Sequence, residues 1–198
     1  MHLLTQRAND GKFNLSASSQ KQLQQKLLQK RGEYTEKMKN SDQKRIYYMS
    51  MEFLVGRSLK NNLYNLGMEA EMKEAVKELG FDLETIYDME PDAGLGNGGL
   101  GRLASCYMDA ATTMGYPFTG FSIRYEFGIF RQKIVDGWQM EQPDNWLEMG
   151  GFWLVPRRDE SKEVHFDGEV KEEWGETGLK TIHKNYYTVR AVPYDLLI

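Results

Sequence analysis

Leu23, Leu27 and Leu28 recur at helical spacing among polar residues after Ser19, a suitable N-cap, so the pattern predicts a helix reaching about Lys39. Residues 45–53 (RIYYMSMEF) are rich in β-formers and apolar on both faces, the texture of a buried parallel strand, which leaves Glu52 conspicuous at its end. The period then turns helical again. Leu59, Leu63 and Leu66 precede Gly67 at a C′ position, Met72, Val76 and Leu79 precede Gly80, and Asp82 starts a third short helix. The glycine-rich residues 94–101 lead into a helix over 103–114, ended by Gly115. Beyond Pro117 the pattern is β: Asp136-Gly137 and Asp167-Gly168 are hairpin signals, and residues 186–192 form a further strand. Helices with one buried strand, then hairpins, make an α/β layered domain with an antiparallel appendage.

Residues 1–16 show no apolar period and contain Asn9-Asp10-Gly11, which reads as a loose lead-in to a domain over 17–198. No run reaches the roughly 18 apolar residues of a membrane span, and residues 1–14 lack a signal-peptide core, so the expectation is a soluble, cytoplasmic chain without a membrane partner. With one cysteine, Cys106, and three histidines, His2, His165 and His183, neither a disulfide framework nor structural zinc is expected. A net charge of −4 is no footprint for nucleic acid. Residues 1–48 nevertheless carry ten basic and four acidic side chains, either a solvated helix face or a partner-docking surface.

The sharpest chemical signal is residues 92–102, DAGLGNGGLGR, with five glycines in eight positions before a helix. Such a loop lets a ligand approach bare backbone, with unpaired N–H groups and the positive helix end facing an anion such as phosphate. The alternative is that the glycines serve tight packing and a strained turn. Two overlapping G-x-G-x-x-G matches make a weak dinucleotide fingerprint: residues 87–93 are acidic and contain proline, and Asp109 is the only ribose-binding candidate. No Gly-Lys-Ser/Thr follows, which excludes a Walker A loop. Glu52 reads either as a cleft carboxylate at a strand end or as a partner of Arg57. Trp138, Trp146, Trp153, Tyr125 and Phe130 suit sugar stacking, but core packing is the commoner use of such residues. Cys106, inside a helix and far in sequence from any histidine, reads as a buried structural thiol.

Four segments, KRIYYMSMEFLVGRSLKNN, DAGLGNGGLGRLASCYMDA, IRYEFGIFRQKI and GWQMEQPDNWL, together resemble the N-terminal part of the glycogen, or α-glucan (maltodextrin), phosphorylases. The resemblance spans about residues 44–195 in order and at family-like spacing. It implies an incomplete N-terminal Rossmann-like domain of a two-domain, GT-B type glycosyltransferase. The implied reaction is reversible phosphorolysis of α-1,4-glucans to glucose 1-phosphate, in a homodimer using pyridoxal phosphate. By resemblance, the backbone at Gly98 and Gly99 faces the phosphates, while Glu52, Asn97 and Leu100 border the substrate cleft. The family's cofactor lysine and substrate-phosphate cations lie in a C-terminal domain beyond the matched region, so this chain is expected to be a fragment, inactive alone and without a complete catalytic set.

Several family members carry an aromatic where Leu54 stands, close to the cofactor. Arg31, Thr35 and Lys39 occupy the positions of the animal enzymes' nucleotide-binding aromatics, so animal-type control by AMP or phosphorylation is unsupported. Two functional classes follow: an enzyme half-site, or a non-catalytic glucan-binding or subunit-contact module that keeps the fold without the chemistry.

Overall fold

The computed structural model describes residues 5–7, 13–15, 17–78 and 80–196. They form two compact units, one reaching Trp153 and one spanning Leu154–Leu196.

In the first unit, β1 (Thr5–Arg7) and β2 (Phe13–Leu15) pair antiparallel within the segment expected to be a loose lead-in. Helix α1 (Ala17–Lys39) begins two residues before the expected cap, with Leu23 buried on one face and Lys37 and Lys39 complementing the dipole of its last turn. Strand β3 is shorter than expected, Ile46–Met49, and runs parallel to β4 (Phe118–Phe121), with Ile46 opposite Phe118 and Met49 opposite Phe121. The expected burial is corrected too. With a single hydrogen-bonded neighbour, β3 leaves Tyr47 61% and Met49 84% exposed.

The chain between these strands holds α2 (Leu59–Asn65), α3 (Glu69–Glu78), α4 (Leu83–Met89) and α5 (Gly99–Thr113). Their apolar positions make the core: Leu59, Leu63, Met72, Val76, Leu83 and Ile86 are all buried. Gly67, Gly80 and Gly115 adopt the left-handed backbone that a C′ residue needs, with φ of +65°, +82° and +71°. Leu79, expected on the apolar face of α3, lies outside the described residues. Helix α2 has no side-chain cap of its own. The carboxylate of Glu90, distant in sequence, accepts from the N–H groups of Ser58 and Leu59 and from Trp153 Nε1. Helix α5 packs on β4, where bare Gly120 leaves room for the Phe53 ring and the Met108 sulfur. Tyr48 adds ring contacts with Phe53, Tyr107 and Phe118.

Hairpin β5 (Arg131–Val135) and β6 (Trp138–Gln142) turns at Asp136-Gly137, both at positive φ, as the sequence pattern predicts. A short helix α6 (Leu147–Gly150) follows.

The second unit contains β7 (Leu154–Pro156), β8 (Lys162–Phe166), β9 (Glu169–Gly175), β10 (Gly178–Lys184), β11 (Tyr187–Ala191) and β12 (Tyr194–Leu196). Here the expected Asp167-Gly168 hairpin is corrected. β8 pairs with β11 and β9 with β10, so the two residues kink one long antiparallel ribbon whose turn is Glu176-Thr177. The opposite strand kinks with them: Asn185 also has positive φ, and Tyr186 stacks on His165 at 3.6 Å between ring centres. Nested outside, β12 pairs with β7, and Arg157 bonds Asp195 at 3.0 Å. No helix among the described residues is long and apolar enough to cross a membrane.

Candidate functional site

Beyond β3 the chain runs extended beside the glycine loop, and the two are stitched together by backbone. Phe53 N–H donates to Leu95 O at 2.8 Å, and Leu54 N–H donates to Gly101 O at 3.0 Å. Between these bonds the Glu52 carboxylate accepts the Asn97 N–H at 3.2 Å. The alternative pairing with Arg57 is absent, because Arg57 bonds Asp88 at 2.9 Å and lies 3.8 Å from Asp92. Ser50 Oγ, which donates to Glu52 O and accepts Glu52 N–H, fixes the bend that turns this side chain toward the loop.

The five loop glycines divide into two kinds. A Cβ on Gly94 would enter the Trp146 indole; one on Gly96 would lie 2.8 Å from the backbone of Phe53 and Leu54; one on Gly101 would lie 2.9 Å from Glu52 Cβ. These three are glycine because the neighbouring chain leaves no room. Gly98 and Gly99 face open space. Gly98, with φ −141°, sits in extended backbone as the N-cap of α5, and Gly99 is its first helical residue. Neither packing nor backbone conformation demands glycine at these two positions. The first N–H groups of α5 have no partner within the helix, and none among the described residues bonds those of Gly98 or Gly99.

Glu52, Gly94, Gly96 and Asn97, together with Tyr125, Phe127, Gly128 and Ile129, line a cleft of about 200 Å³. Of the sequence candidates, Glu52 and Asn97 therefore meet in the cleft, Gly98 and Gly99 open the adjoining helix, and Leu100 is 62% exposed outside the lining. Sequence reasoning gave no role to Phe127, Gly128 and Ile129. The signal lay in RYEFGIF, where a glycine sits between apolar residues because the Asp144 side chain fills its Cβ position.

The aromatic residues split. Trp146 and Trp153 are buried, Trp138 is 77% exposed, and Phe130 is also exposed; of the five sugar-stacking candidates Tyr125 alone lines the cleft, beside Phe127. Cys106, expected to be buried, is exposed on α5. Asp109, the weak ribose candidate, sits exposed on the same helix. Among the described residues no group of three or more potential ligands is placed to hold a metal.

The mixed fold, with its parallel strand pair and a glycine-lined cleft beside the strand end, is that of an α/β protein. The family model of the carbohydrate phosphorylases matches residues 76–198, and the chain belongs to that family. Human brain glycogen phosphorylase is 50% identical over 154 residues, which are 78% of this chain and 18% of that protein. The bovine brain form is 49% identical over the same coverage, and the human liver form is 49% identical over 152 residues, 77% of this chain and 18% of that protein. The chain thus spans under a fifth of the length of these relatives.

Proposed function

We propose that this chain is the N-terminal portion of an α-glucan phosphorylase, a GT-B glycosyltransferase built from two Rossmann-like domains, and that it supplies one wall of the active cleft. The reaction is reversible phosphorolysis of a terminal α-1,4-glucosidic bond, releasing glucose 1-phosphate, by a cytoplasmic homodimer.

The observation that carries this reading is the division among the glycines. Gly94, Gly96 and Gly101 are consumed by packing, whereas a Cβ on Gly98 or Gly99 would meet nothing within 4 Å among the described residues. Bare backbone at a helix start, with free N–H donors, suits the close approach of a phosphate.

Pyridoxal phosphate, through its own phosphate group, supplies proton transfer to the substrate phosphate when bound. The chain's own contribution is positional and electrostatic. Gly98 and Gly99 offer N–H donors to anionic oxygens, Glu52 holds the loop by the Asn97 N–H, and the side chain of Asn97 and the free edge of Glu52 face sugar hydroxyls. Leu100 borders the glucosyl group from outside the present lining. The cofactor lysine and the cations for substrate phosphate belong to a C-terminal domain outside this chain. Apolar surface open on Tyr47, Met49 and Phe121 is of the kind a continuing sheet covers.

The test compares the full-length enzyme with this chain alone, both supplied with glycogen, phosphate and pyridoxal phosphate. The full-length protein should release glucose 1-phosphate. The chain alone should release none and form no borohydride-reducible Schiff base. Turnover by the chain alone, or none by the full-length protein, contradicts the reading.

A further inference from the structure

Trp146 is 1% exposed, and its indole ring closes over Gly94 at the start of the glycine loop. Its Nε1–H donates at 3.2 Å to the carbonyl of Tyr125, which also lines the cleft. Tyr125 in turn donates its hydroxyl at 2.9 Å to Met51 O, the residue before Glu52. Met51 leads through Glu52 to the Asn97 N–H and through Phe53 N–H to Leu95 O, back in the glycine loop. The contacts close a circuit: loop, Trp146, wall, strand end, loop. Here the one polar atom of a buried side chain is used on the cleft wall, and the same ring makes glycine obligatory at Gly94.

We infer that Trp146 is a positioning residue, which with Tyr125 holds the Tyr125 segment, the strand end and the glycine loop together and so sets the aim of the Gly98 and Gly99 donors. It touches no reacting group. Its effect on catalysis rests on the function proposed above, but its effect on the loop does not.

The primary test is amide hydrogen exchange on this chain. Trp146→Phe removes the indole donor and keeps an aromatic ring, and Tyr125→Phe breaks the circuit at its other link on a more accessible side chain. Each should speed exchange at Phe53 and Leu54 about five- to tenfold, the worth of one net hydrogen bond, while Val76 in α3 stays unchanged. Should Trp146→Phe fail to fold, Tyr125→Phe decides alone. Unchanged exchange at Phe53 and Leu54, or acceleration only in step with Val76, overturns the inference. In the full-length enzyme both variants should lower turnover per folded molecule several-fold, the parameter in which a misaimed Gly99 donor shows, whereas loss of folded protein alone disappears once the rate is corrected for folded fraction. If the exchange signature is present but the wild-type enzyme performs no phosphorolysis, the circuit stands and the functional reading falls.

Discussion

Glu52 and Asn97 lie 45 positions apart and are joined by one bond, from the Asn97 N–H to Glu52 Oε2 at 3.2 Å. That bond ties the end of the parallel strand pair to the middle of the glycine loop. Glu52→Ala removes the acceptor, and its urea midpoint should report a loss of about 1 kcal/mol, below the range for a fully buried bond to a charged group because this one is half-exposed. Glu52→Gln keeps an oxygen in place and should lose less than half as much. Equal losses would mean that the charge, and not the hydrogen bond, secures the loop.

The two kinds of glycine predict opposite outcomes for the same substitution. Alanine at Gly96 or Gly101 drives a methyl into neighbouring backbone or the Glu52 side chain and should destabilise by about 1–3 kcal/mol. Alanine at Gly99 meets nothing within 4 Å and occupies a helical position, so it should be neutral or stabilise by up to about 1 kcal/mol. Gly115→Ala, at the far end of the same helix with φ +71°, should cost about 1–2 kcal/mol through backbone strain. Thermal unfolding of the four variants reads all of these.

Tyr87 buries its hydroxyl in the helical segment without a hydrogen-bond partner among the described residues. Burial first, then the charges of Glu69 and Glu84, push its pKa from 10.0 up to about 12. The folded chain therefore holds this proton more tightly than the unfolded chain. Stability from this group is complete below pH 10 and is lost as the pH rises from 10 through about 12. Melting temperature should fall through that window more steeply in the wild type than in Tyr87→Phe. Below pH 10 that variant should be at least as stable, since it removes an unsatisfied buried group.

The helices were legible because leucine spacing and closing glycines agree: Leu59, Leu63 and Gly67 alone delimit α2. The glycine loop was legible as a site, but not which glycines pack and which stand open, since that depends on Trp146 and on residues 53–54, far off in sequence. The burial of β3 was misjudged because β-formers on both faces report what a strand could bury, and the partner strands are a separate matter. Asp167-Gly168 has the backbone of a tight turn but sits opposite a matching kink at Asn185, and local sequence does not encode strand pairing across that distance. Cys106 lies on a helix face whose neighbours Leu103 and Tyr107 are also exposed, so a place inside a helix, far in sequence from any histidine, overstated its burial.

Exposed Tyr47, Met49 and Phe121 around the two-stranded parallel pair, with Leu100, Leu103 and Tyr107 on α5, leave apolar surface uncovered in the isolated chain. Self-association should follow. Sedimentation velocity over a hundredfold concentration range should show a rising mean sedimentation coefficient. A single monomeric species throughout would show that this surface is tolerated in water.

On the function proposed, the N–H of Gly99 serves a phosphate, and proline at that position isolates it. Proline deletes this donor, yet is tolerated in the first helical turn, where the N–H has no helical partner. The deciding measurement is the rate of glucose 1-phosphate release from glycogen by full-length Gly99→Pro enzyme, corrected for folded fraction. Loss of the donor should lower turnover about a hundredfold or more, on the scale of removing one oxyanion-hole donor, with a much smaller change in melting temperature. A folded variant that keeps full turnover would contradict the account.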